Sequence, residues 1–571
     1  MASTFGLRRR FGPGERVGTS LDAPRVGSLG GLVRSATPPA TSVAGALSVG
    51  MATGGAADVN LSDVVLVAAS NAPAAEIAAA NYVCDGTDDD VEINQALADA
   101  QDRRRVVRLS TGIFYVAQPI EVVQNTAKPS PEGLVGAGYG ATSILWGKNS
   151  GSFDFDLGVV SVNNYSGFDY PHLLVADFTI GPDTGKSGKH EPASSLYLSG
   201  YNIRVSGVVT ASGMDAAFGG LYLGFMWNLV VEDCQFASPV NYDNTDDNWG
   251  ATDIDDVGTS AVCLNSYRSG FLYNVRFVNC WISAYAADHW AIFGNRVAGF
   301  GGYIFGVQFD ACNIQGPAEI CLSPGSSGDT PTGFYNCYWE IGSGLLGVNY
   351  ANATRIAGES FSGGMSFAGI FNTVFILTEN ASDTPVAAST DAFIVLLGAV
   401  TMDGCVLQDD QTGTSFTLPW RFLLDLTNIS SHTTTVEWDA WPQVSGCTFH
   451  AEGWSTSASG IGGATVPSRS TRFIRVYEND LYAADFPVNG GAIISDCQFI
   501  GTDDDESLYL DTLSTVVKDN VWRRCFSTTN PVVTVTANAT RTYLTHNIFL
   551  DNSDAPLATP ITDSGTNTII A

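Results

Sequence analysis

Lysine is nearly absent from this chain of 571 residues. There are five lysines, and 27 Lys and Arg residues together face 58 Asp and Glu residues, which gives a formal net charge of −31 at pH 7. Proteins that act mainly on nucleic acid neutralise its phosphates with stripes of Lys and Arg, and no such stripe is present. The composition therefore argues against nucleic-acid binding. An acidic, Lys-poor surface fits a high-salt environment and a GC-rich genome equally well.

Other absences narrow the class of protein further. No C-x-x-C pair occurs, so a zinc site has little support, and the dispersed cysteines do not resemble the framework of a small disulfide-rich domain. No apolar run of about 18 residues or more appears, so we expect no membrane insertion. The basic residues near the N-terminus are not followed by an apolar segment, so we expect no secretory signal. A protein of this kind that works outside a cell leaves it by another route, such as inside a virion.

A short phrase recurs along the chain. It has the form apolar–x–polar–Cys–x–aromatic or aliphatic, and the fourth position is occupied by Cys234, Cys280, Cys312, Cys337, Cys405, Cys447 and Cys497, with Asn520 and Asn547 in two further copies. The shortest intervals are 23 residues (Cys497 to Asn520), 25 (Cys312 to Cys337) and 27 (Asn520 to Asn547). A period of this length is the sequence sign of a solenoid.

The segments between the copies predict β-strands, because they are short apolar runs broken by Gly, Asn and Asp without helical periodicity. In a parallel β-solenoid with three short strands per coil, a residue at a fixed phase lies about 4.8 Å from its equivalent in the next coil. We therefore predict an all-β chain in which the seven cysteines form one buried column. Asn can continue the column where its amides hydrogen-bond along the stack. The alternative is chance similarity among the strand ends of a β-sandwich.

Residues 1–57 differ from the rest of the chain. They hold six arginines and no lysine, are rich in Gly, Ser, Ala and Pro, and show no periodic apolar face. Such a segment does not bury enough apolar area to fold alone, so we predict an extended or disordered arm. It is either a free tail or an attachment element that becomes ordered on an acidic partner.

Residues 58–125 are predicted to form an entry module. Residues 61–70 have the composition of a buried strand, residues 72–83 favour a short helix, and residues 105–123 predict three strands separated by a Thr-Gly turn and a proline. Acidic residues followed by an apolar face predict a second helix over about 88–101. Its expected N-cap is Thr87 or Asp88, and Arg103–Arg105 are expected at its C-terminal end.

The stretch CDGTDDDVEINQALADA with the following VVRLSTGIFYVAQPIEV resembles the opening of the pectate-lyase-like β-helix superfamily, over roughly residues 65–125. GLVGAGYGATSILWG (133–147) resembles an early coil of the same family. The residues that match the family's acidic motif are Asp85, Gly86, Asp88 and Asp89. The resemblance implies a right-handed parallel β-helix whose open N-terminal end is covered by a helix, with the motif residues in turn and cap positions. The superfamily holds pectate lyases, polygalacturonases, epimerases, and tailspikes and tail fibres of phages and archaeal viruses.

The predicted organisation has four parts. They are an arm at 1–57, an entry module with capping helix and first coil at 58–125, a parallel β-helix with loop insertions at 126–527, and a Thr-rich C-terminal β cap at 528–571. The cap is expected because the last coil of a solenoid otherwise presents unpaired strand edges. Insertions in a solenoid emerge on its surface and often carry binding residues.

The richest candidate site is the acidic segment 241–256. Clustered carboxylates offer hard oxygen ligands to Ca²⁺, and two carboxylates that flank a sugar can act as acid and base. The candidate Ca²⁺ ligands are Asp243, Asp246 and Asp247, the candidate catalytic carboxylates are Asp253, Asp255 and Asp256, and Trp249 is a candidate for stacking on a sugar ring. The alternative is a solvated acidic loop, and the fold itself requires no cofactor.

Two further places hold candidate residues. Asp288 and His289 follow a copy of the Cys phrase and form a candidate acid–base pair, with a structural histidine as the alternative. Trp438 and Trp441 form either a sugar-stacking platform or part of a packed insertion. The motif series of polygalacturonases and pectate lyases are missing, which argues against pectin chemistry.

Together these features predict a virion-surface protein, such as a tailspike, tail fibre or related receptor-binding protein. We expect it to bind a polysaccharide or glycoprotein of the host surface and to attach to other virion proteins through residues 1–57. By resemblance to spikes of this family, we expect a homotrimer. Two alternatives stay open: a glycoside hydrolase or polysaccharide lyase that uses surface carboxylates, and a purely structural component of the virion.

Overall fold

A computed structural model describes most strands of the chain, two helices and many of the tight turns between them. The described residues are 48–49, 57–58, 64–101, 105–123, 132–147, 158–164, 173–184, 194–211, 219–238, 260–264, 271–285, 289–294, 303–322, 332–342, 354–358, 368–378, 392–398, 400–409, 422–425, 443–450, 459–462, 474–477, 480–482, 486–488, 492–500, 508–510, 515–525, 532–551, 553–557 and 560–571. The chain divides into two compact units, 1–61 and 62–571.

In the first unit, β1 (Ser48–Val49) and β2 (Ala57–Asp58) pair antiparallel. The remainder of the predicted arm lies outside the described residues, so its extended or disordered state stays a prediction.

The second unit begins with the predicted entry module. Its elements are β3 (Val64–Ala68), α1 (Ala74–Ala79), β4 (Tyr82–Val83), α2 (Asp90–Gln101), β5 (Val106–Leu109), β6 (Gly112–Val116) and β7 (Ile120–Val123). Both predicted helices are confirmed, and α2 buries Ile93, Ala96 and Leu97. The helix ends at Gln101, as predicted, with no basic residue in its last turn. Residues 102–104 lie outside the described residues, so the expected contribution of Arg103–Arg105 to the helix end stays a prediction. Neither described helix, of 6 and 12 residues, is long enough to cross a lipid bilayer.

Two aspartates attach α2 to the first coil. The Asp89 carboxylate accepts hydrogen bonds from the backbone N–H groups of Gly86 and Tyr115, each at 2.8 Å, and Asp90 Oδ1 accepts from Ala117 N–H at 2.9 Å. Asp85 closes the preceding turn by accepting from Thr87 N–H at 2.8 Å. The acidic residues at the helix start therefore act in the turn and in docking, as the resemblance implies.

The strands of the coils follow in chain order. They are β8 (Gly133–Val135), β9 (Thr142–Trp146), β10 (Gly158–Asn164), β11 (Leu173–Ala176), β12 (Thr179–Pro182), β13 (Ser194–Ser206), β14 (Val209–Thr210), β15 (Gly219–Glu232), β16 (Gln235–Ala237), β17 (Ser260–Leu264), β18 (Phe271–Val278), β19 (Trp281–Ser283), β20 (Trp290–Gly294), β21 (Tyr303–Asp310), β22 (Asn313–Gln315), β23 (Ala318–Leu322), β24 (Thr332–Tyr335), β25 (Tyr338–Gly342), β26 (Thr354–Gly358), β27 (Ala368–Phe371) and β28 (Val374–Thr378). They continue as β29 (Ala392–Gly398), β30 (Val400–Asp403), β31 (Val406–Asp409), β32 (Phe422–Asp425), β33 (Gln443–Ser445), β34 (Thr448–His450), β35 (Ser459–Gly462), β36 (Ile474–Tyr477), β37 (Asp480–Tyr482), β38 (Phe486–Val488), β39 (Ala492–Ser495), β40 (Gln498–Ile500), β41 (Leu508–Leu510), β42 (Val516–Lys518), β43 (Val521–Cys525), β44 (Val533–Val535), β45 (Tyr543–Thr545), β46 (Ile548–Asp551), β47 (Ile561–Asp563) and β48 (Ile569–Ile570).

Each strand of a coil pairs in parallel with its equivalent in the next coil, which builds three long sheets. Strands β17, β20 and β23 belong to the first sheet, β18, β21 and β24 to the second, and β19, β22 and β25 to the third. The long strand β15 pairs with β17 through its first half and with β18 through its second half, so it turns the corner between the first two sheets. The third sheet runs from β6 to β46 and has 15 strands.

The interior is filled by columns of like side chains. On the second sheet, the rings of Phe277, Phe309 and Phe334 stack at centroid distances of 4.6 Å and 4.9 Å. On the third sheet, Phe499 and Trp522 stack at 4.5 Å. These distances match the spacing of about 4.7–4.9 Å between paired strands, so the aromatic core follows from the repeat itself.

The predicted cysteine column is confirmed. All seven cysteines of the phrase are buried, and each lies at the corner between the second and the third sheet. The residue before the column position adopts positive φ in most coils, as at Asn279 (53°), Asn336 (54°) and Gly404 (65°). Asn continues the column as predicted, since Asn520 Oδ1 accepts from Cys497 N–H at 2.9 Å and Asn547 Oδ1 accepts from Asn520 N–H at 3.1 Å.

The predicted C-terminal cap, 528–571, contains β44 to β48. These strands continue the parallel pairing, with β44 on β47 and β45 on β48. Ile569 and Ile570 on the last strand are about half exposed, at 49% and 51%.

Candidate functional site

Of the predicted site residues, the structure describes His289. The others lie outside the described residues: Asp243, Asp246, Asp247, Trp249, Asp253, Asp255, Asp256, Asp288, Trp438 and Trp441. Their proposed roles in Ca²⁺ binding, acid–base chemistry and sugar stacking therefore stay predictions.

His289 is enclosed beside β20. Its Nδ1 lies 3.0 Å from Ser238 Oγ, and the same hydroxyl oxygen accepts a hydrogen bond from Tyr285 N–H at 2.7 Å. Ser238 is fully buried and His289 is 6% exposed. These contacts join β16, β19 and β20 across the junction of two sheets, and they fit the structural alternative for this histidine.

A different group of residues is presented on the outer surface of the third sheet. Between Gly158 and Cys525, the large apolar side chains that the structure describes as exposed are Trp281, Tyr285 and Tyr338. Trp281 and Tyr338 are 40% and 41% exposed. Both are the first residue of their strand and point away from the core, while Ile282 and Trp339 beside them are buried.

Trp281, Asn313 and Tyr338 form one column along three consecutive coils, which we call the aromatic column. Trp281 pairs in register with Asn313, and Asn313 pairs with Tyr338. The column is set by the corner before it, because Asn279, Ala311 and Asn336 each take positive φ two residues earlier. That turn fixes which residues of the short strand face outward.

A second column, polar and buried, lies beside the first. It consists of Ser283, Gln315 and Glu340, which are in register and 6%, 1% and 5% exposed. The Trp281 indole N–H donates to Gln315 Oε1 at 3.2 Å, and Gln315 Nε2 donates to Glu340 Oε2 at 3.1 Å. This polar column fixes the orientation of the indole, so the ring is held in place before any ligand arrives.

Asn313 lies between the two exposed rings and is half-buried. Its Oδ1 is enclosed and has no hydrogen-bond partner among the described residues. A rotation of the amide by half a turn exchanges the oxygen with the nitrogen, so the group can offer either an acceptor or a donor. An amide between two aromatic rings is the kind of surface that binds a polar ring-shaped ligand.

The sequence carries a signal for this site in the residue that follows each column position. Each copy of the Cys phrase is followed directly by the outward residue, as in CWIS, CNIQ and CYWE. The phrase predicts which residue is buried, and the alternation of a strand then predicts that its neighbour is exposed. The pattern therefore predicts that Trp281 and Tyr338 face outward.

One group of potential metal ligands lies together among the described residues. Atoms of Cys84, Asp89 and Glu92 lie within 4.8 Å of one another under α2. Burial raises the pKa of the Cys84 thiol and of the Asp89 carboxyl, and both Asp89 oxygens already accept backbone hydrogen bonds. We interpret this group as part of the helix attachment.

No protein-family model and no curated protein matches the chain. Several solved structures are similar to the chain. A tailspike protein of E. coli bacteriophage HK620 is 11% identical with a TM-score of 0.43, over 89% of this chain and 78% of that one. PfbA, a surface adhesin of Streptococcus pneumoniae, is 10% identical with a TM-score of 0.37, over 83% and 93%. Geobacillus virus E2 ORF18 is 15% identical with a TM-score of 0.36, over 58% of this chain and 55% of that one.

The chain is a right-handed parallel β-helix protein. The continuous parallel pairing of its sheets confirms the fold that the resemblance implies. The chain spans about half the length of the Geobacillus virus protein, and at these identities the similarities concern the fold.

Proposed function

We propose that the protein is a virion-surface protein of the tailspike or tail-fibre kind that binds a glycan of the host surface. The observation that carries this proposal is the aromatic column, with two exposed rings on either side of a half-buried amide. Aromatic faces with a few fixed polar groups suit a sugar, which has an apolar ring face and polar edges. The resemblance of the entry module to the tailspike-containing superfamily supports the location.

The remaining features of the proposal concern assembly. We infer that residues 1–57 attach the protein to other virion proteins, because six arginines offer forked donors to carboxylates. We also infer a homotrimer, supported by the family resemblance. Sedimentation checks this directly, since a trimer has three times the mass of the 60.2 kDa chain. A 60.2 kDa species alone contradicts it.

Binding is tested by incubating the protein with lipopolysaccharides and extracellular polysaccharides from a panel of prokaryotes. We expect retention of at least one polysaccharide without change in its chain length. Shortening of the polysaccharide favours the hydrolase or lyase alternative, and an unsaturated sugar end identifies a lyase. Retention of none favours a purely structural component of the virion.

A further inference from the structure

The aromatic column has a direction. Its three residues lie in register on β19, β22 and β25, so the column runs parallel to the axis of the β-helix. Neighbouring strands are about 4.8 Å apart, which places the backbones that carry Trp281 and Tyr338 about 10 Å from each other. The shorter Asn313 side chain lies between them, with a ring on either side. A ligand that meets both rings therefore extends along the axis.

The hydrogen-bonding groups beside the column are mostly committed to the protein. The Trp281 indole N–H is bonded to Gln315, and the Gln315 amide is bonded to Glu340. The Asn313 amide is the adaptable group, because its Oδ1 has no partner among the described residues. Because Oδ1 is enclosed, a ligand hydroxyl meets the other atom of the amide, and a half-turn of the amide makes that atom a donor or an acceptor.

Carboxylates outnumber cationic side chains among the described residues around the column. The described residues between 271 and 342 include three carboxylates and one basic side chain, Arg276. The carboxylates are those of Asp310, Glu319 and Glu340. Arg276 pairs with Asp310 at 2.7 Å on the neighbouring sheet, so its charge is already matched. Glu340 is buried in the polar column beside Asn313, at 5% exposed, and its Oε2 accepts from Gln315. Among the described residues of 271–342, a ligand carboxylate placed there finds no unmatched cationic side chain, and the nearby Glu340 carboxylate disfavours a second negative charge.

We propose that the aromatic column binds a neutral, hydroxyl-rich glycan along the axis of the β-helix and discriminates against glycans that carry carboxylates. This inference rests on the proposed function and names the chemical class of its ligand. Trp281 and Tyr338 stack on sugar faces, Asn313 hydrogen-bonds to a hydroxyl between them, and Glu340 sets the charge preference while Gln315 positions the indole.

The test uses the full chain and an immobilised panel of neutral and anionic glycans, with dextran, laminarin and galactomannan against alginate, hyaluronan and polygalacturonate. We expect retention of at least one neutral glycan and none of the anionic ones. Retention of anionic glycans alone overturns the inference and leaves the proposed function standing. Retention of nothing on this panel and of nothing in the test with prokaryotic surface polysaccharides overturns both.

Variants then assign the residues. Trp281→Ala and Tyr338→Ala are each expected to weaken neutral-glycan binding about tenfold. Trp281→Phe keeps a ring and is expected to restore most of the loss. Tyr139→Ala is the matched control, because Tyr139 is 71% exposed on an early coil far along the chain from the column and should leave binding unchanged. Equal affinity of all four variants overturns the assignment.

Glu340→Gln tests the charge preference separately. Glutamine keeps an oxygen that accepts from Gln315, so neutral-glycan binding should change less than about twofold. Retention of anionic glycans should rise in this variant, and rise less at high salt because screening already weakens the repulsion. An unchanged ratio of neutral to anionic binding overturns the role given to Glu340. Thermal unfolding of each variant confirms that it is folded.

Discussion

Single residues at one corner of the coil determine much of this structure. Between the second and third sheets, the position before the column takes positive φ and is filled by Asp, Asn, Gly, Ala or His, as at Asp233, Asn279, Ala311, Gly404 and His546. Gly, Asn and Asp adopt this conformation most easily, which explains the polar third letter of the recurring phrase. The corner and the buried cysteine after it are therefore predictable from sequence.

Ala311 is an exception at this corner, because alanine adopts positive φ less easily than Gly, Asn or Asp, and this allows a prediction. Its φ is 54°, where a Cβ is strained, and its side chain is exposed. We expect Ala311→Gly to raise the free energy of unfolding by about 1 kcal/mol, because the relief of strain exceeds the entropy that glycine adds to the unfolded chain. Denaturant unfolding measures it. Ala261→Gly, in the buried and extended strand β17, is the control and should destabilise by a similar amount. Loss of stability in Ala311→Gly contradicts the strain argument.

At the scale of elements, the sequence predicts the entry module well because its signals are local. Acidic residues, an apolar helical face and a Thr-Gly turn each act within a few positions, and α2 lies within two residues of its expected bounds. What the sequence did not reveal is that the acidic residues reach across to strand β6 and its following turn. Such contacts depend on how the helix packs on the first coil.

The attachment of α2 should depend on pH. Burial raises the pKa of Asp89 and of Asp90 above the usual value of 3.8, since desolvation outweighs the backbone hydrogen bonds they accept. Folding then favours the protonated carboxyls, so their contribution to stability is fully present below the usual pKa and is lost as the pH rises through the folded pKa. We expect Asp89→Asn, which does not ionise, to weaken this dependence in urea unfolding measured between about pH 4 and pH 7.

Asp85 provides the control for that measurement. It is exposed, and hydrogen bonds from Thr87 lower the pKa of its carboxyl, so its contribution has the opposite sign and is lost as the pH falls. Asp85→Asn should therefore leave the loss of stability toward neutral pH in place. A variant Asp89→Asn with the same pH dependence as the parent chain would falsify the role of Asp89.

At the scale of the whole molecule, the repeat makes the coils predictable and leaves the insertions unpredicted. Strands of successive coils restrain one another, so nine copies of one phrase are enough to identify the fold. An insertion has no equivalent in the next coil, and its sequence does not say which surface it covers. The acidic segment 241–256 and the tryptophans at 438 and 441 are of this kind, so sequence alone does not bring them together.

The division of the chain into two units predicts the effect of a deletion. Removal of residues 1–57 should change the Tm by less than about 2 °C, because residues 62–571 contain the packed columns of the β-helix. If the proposed function holds, the shortened protein should not be incorporated into particles. In the full-length protein, replacement of the six arginines of residues 1–57 by serine should likewise prevent incorporation into particles. The positions are Arg8, Arg9, Arg10, Arg16, Arg25 and Arg34. Loss of the folded state on deletion would show that the arm belongs to the core.

The cysteine column bears on how such a protein changes its length over evolution. Each coil presents to the next the same buried thiol, the same tight corner and the same row of backbone groups. A duplication in frame of one coil therefore meets matching surfaces on both sides, and deletion of one coil joins two that already fit. Lineages of this protein should accordingly differ by whole coils, with the bound glycan displaced along the particle while the chemistry of its contacts is retained.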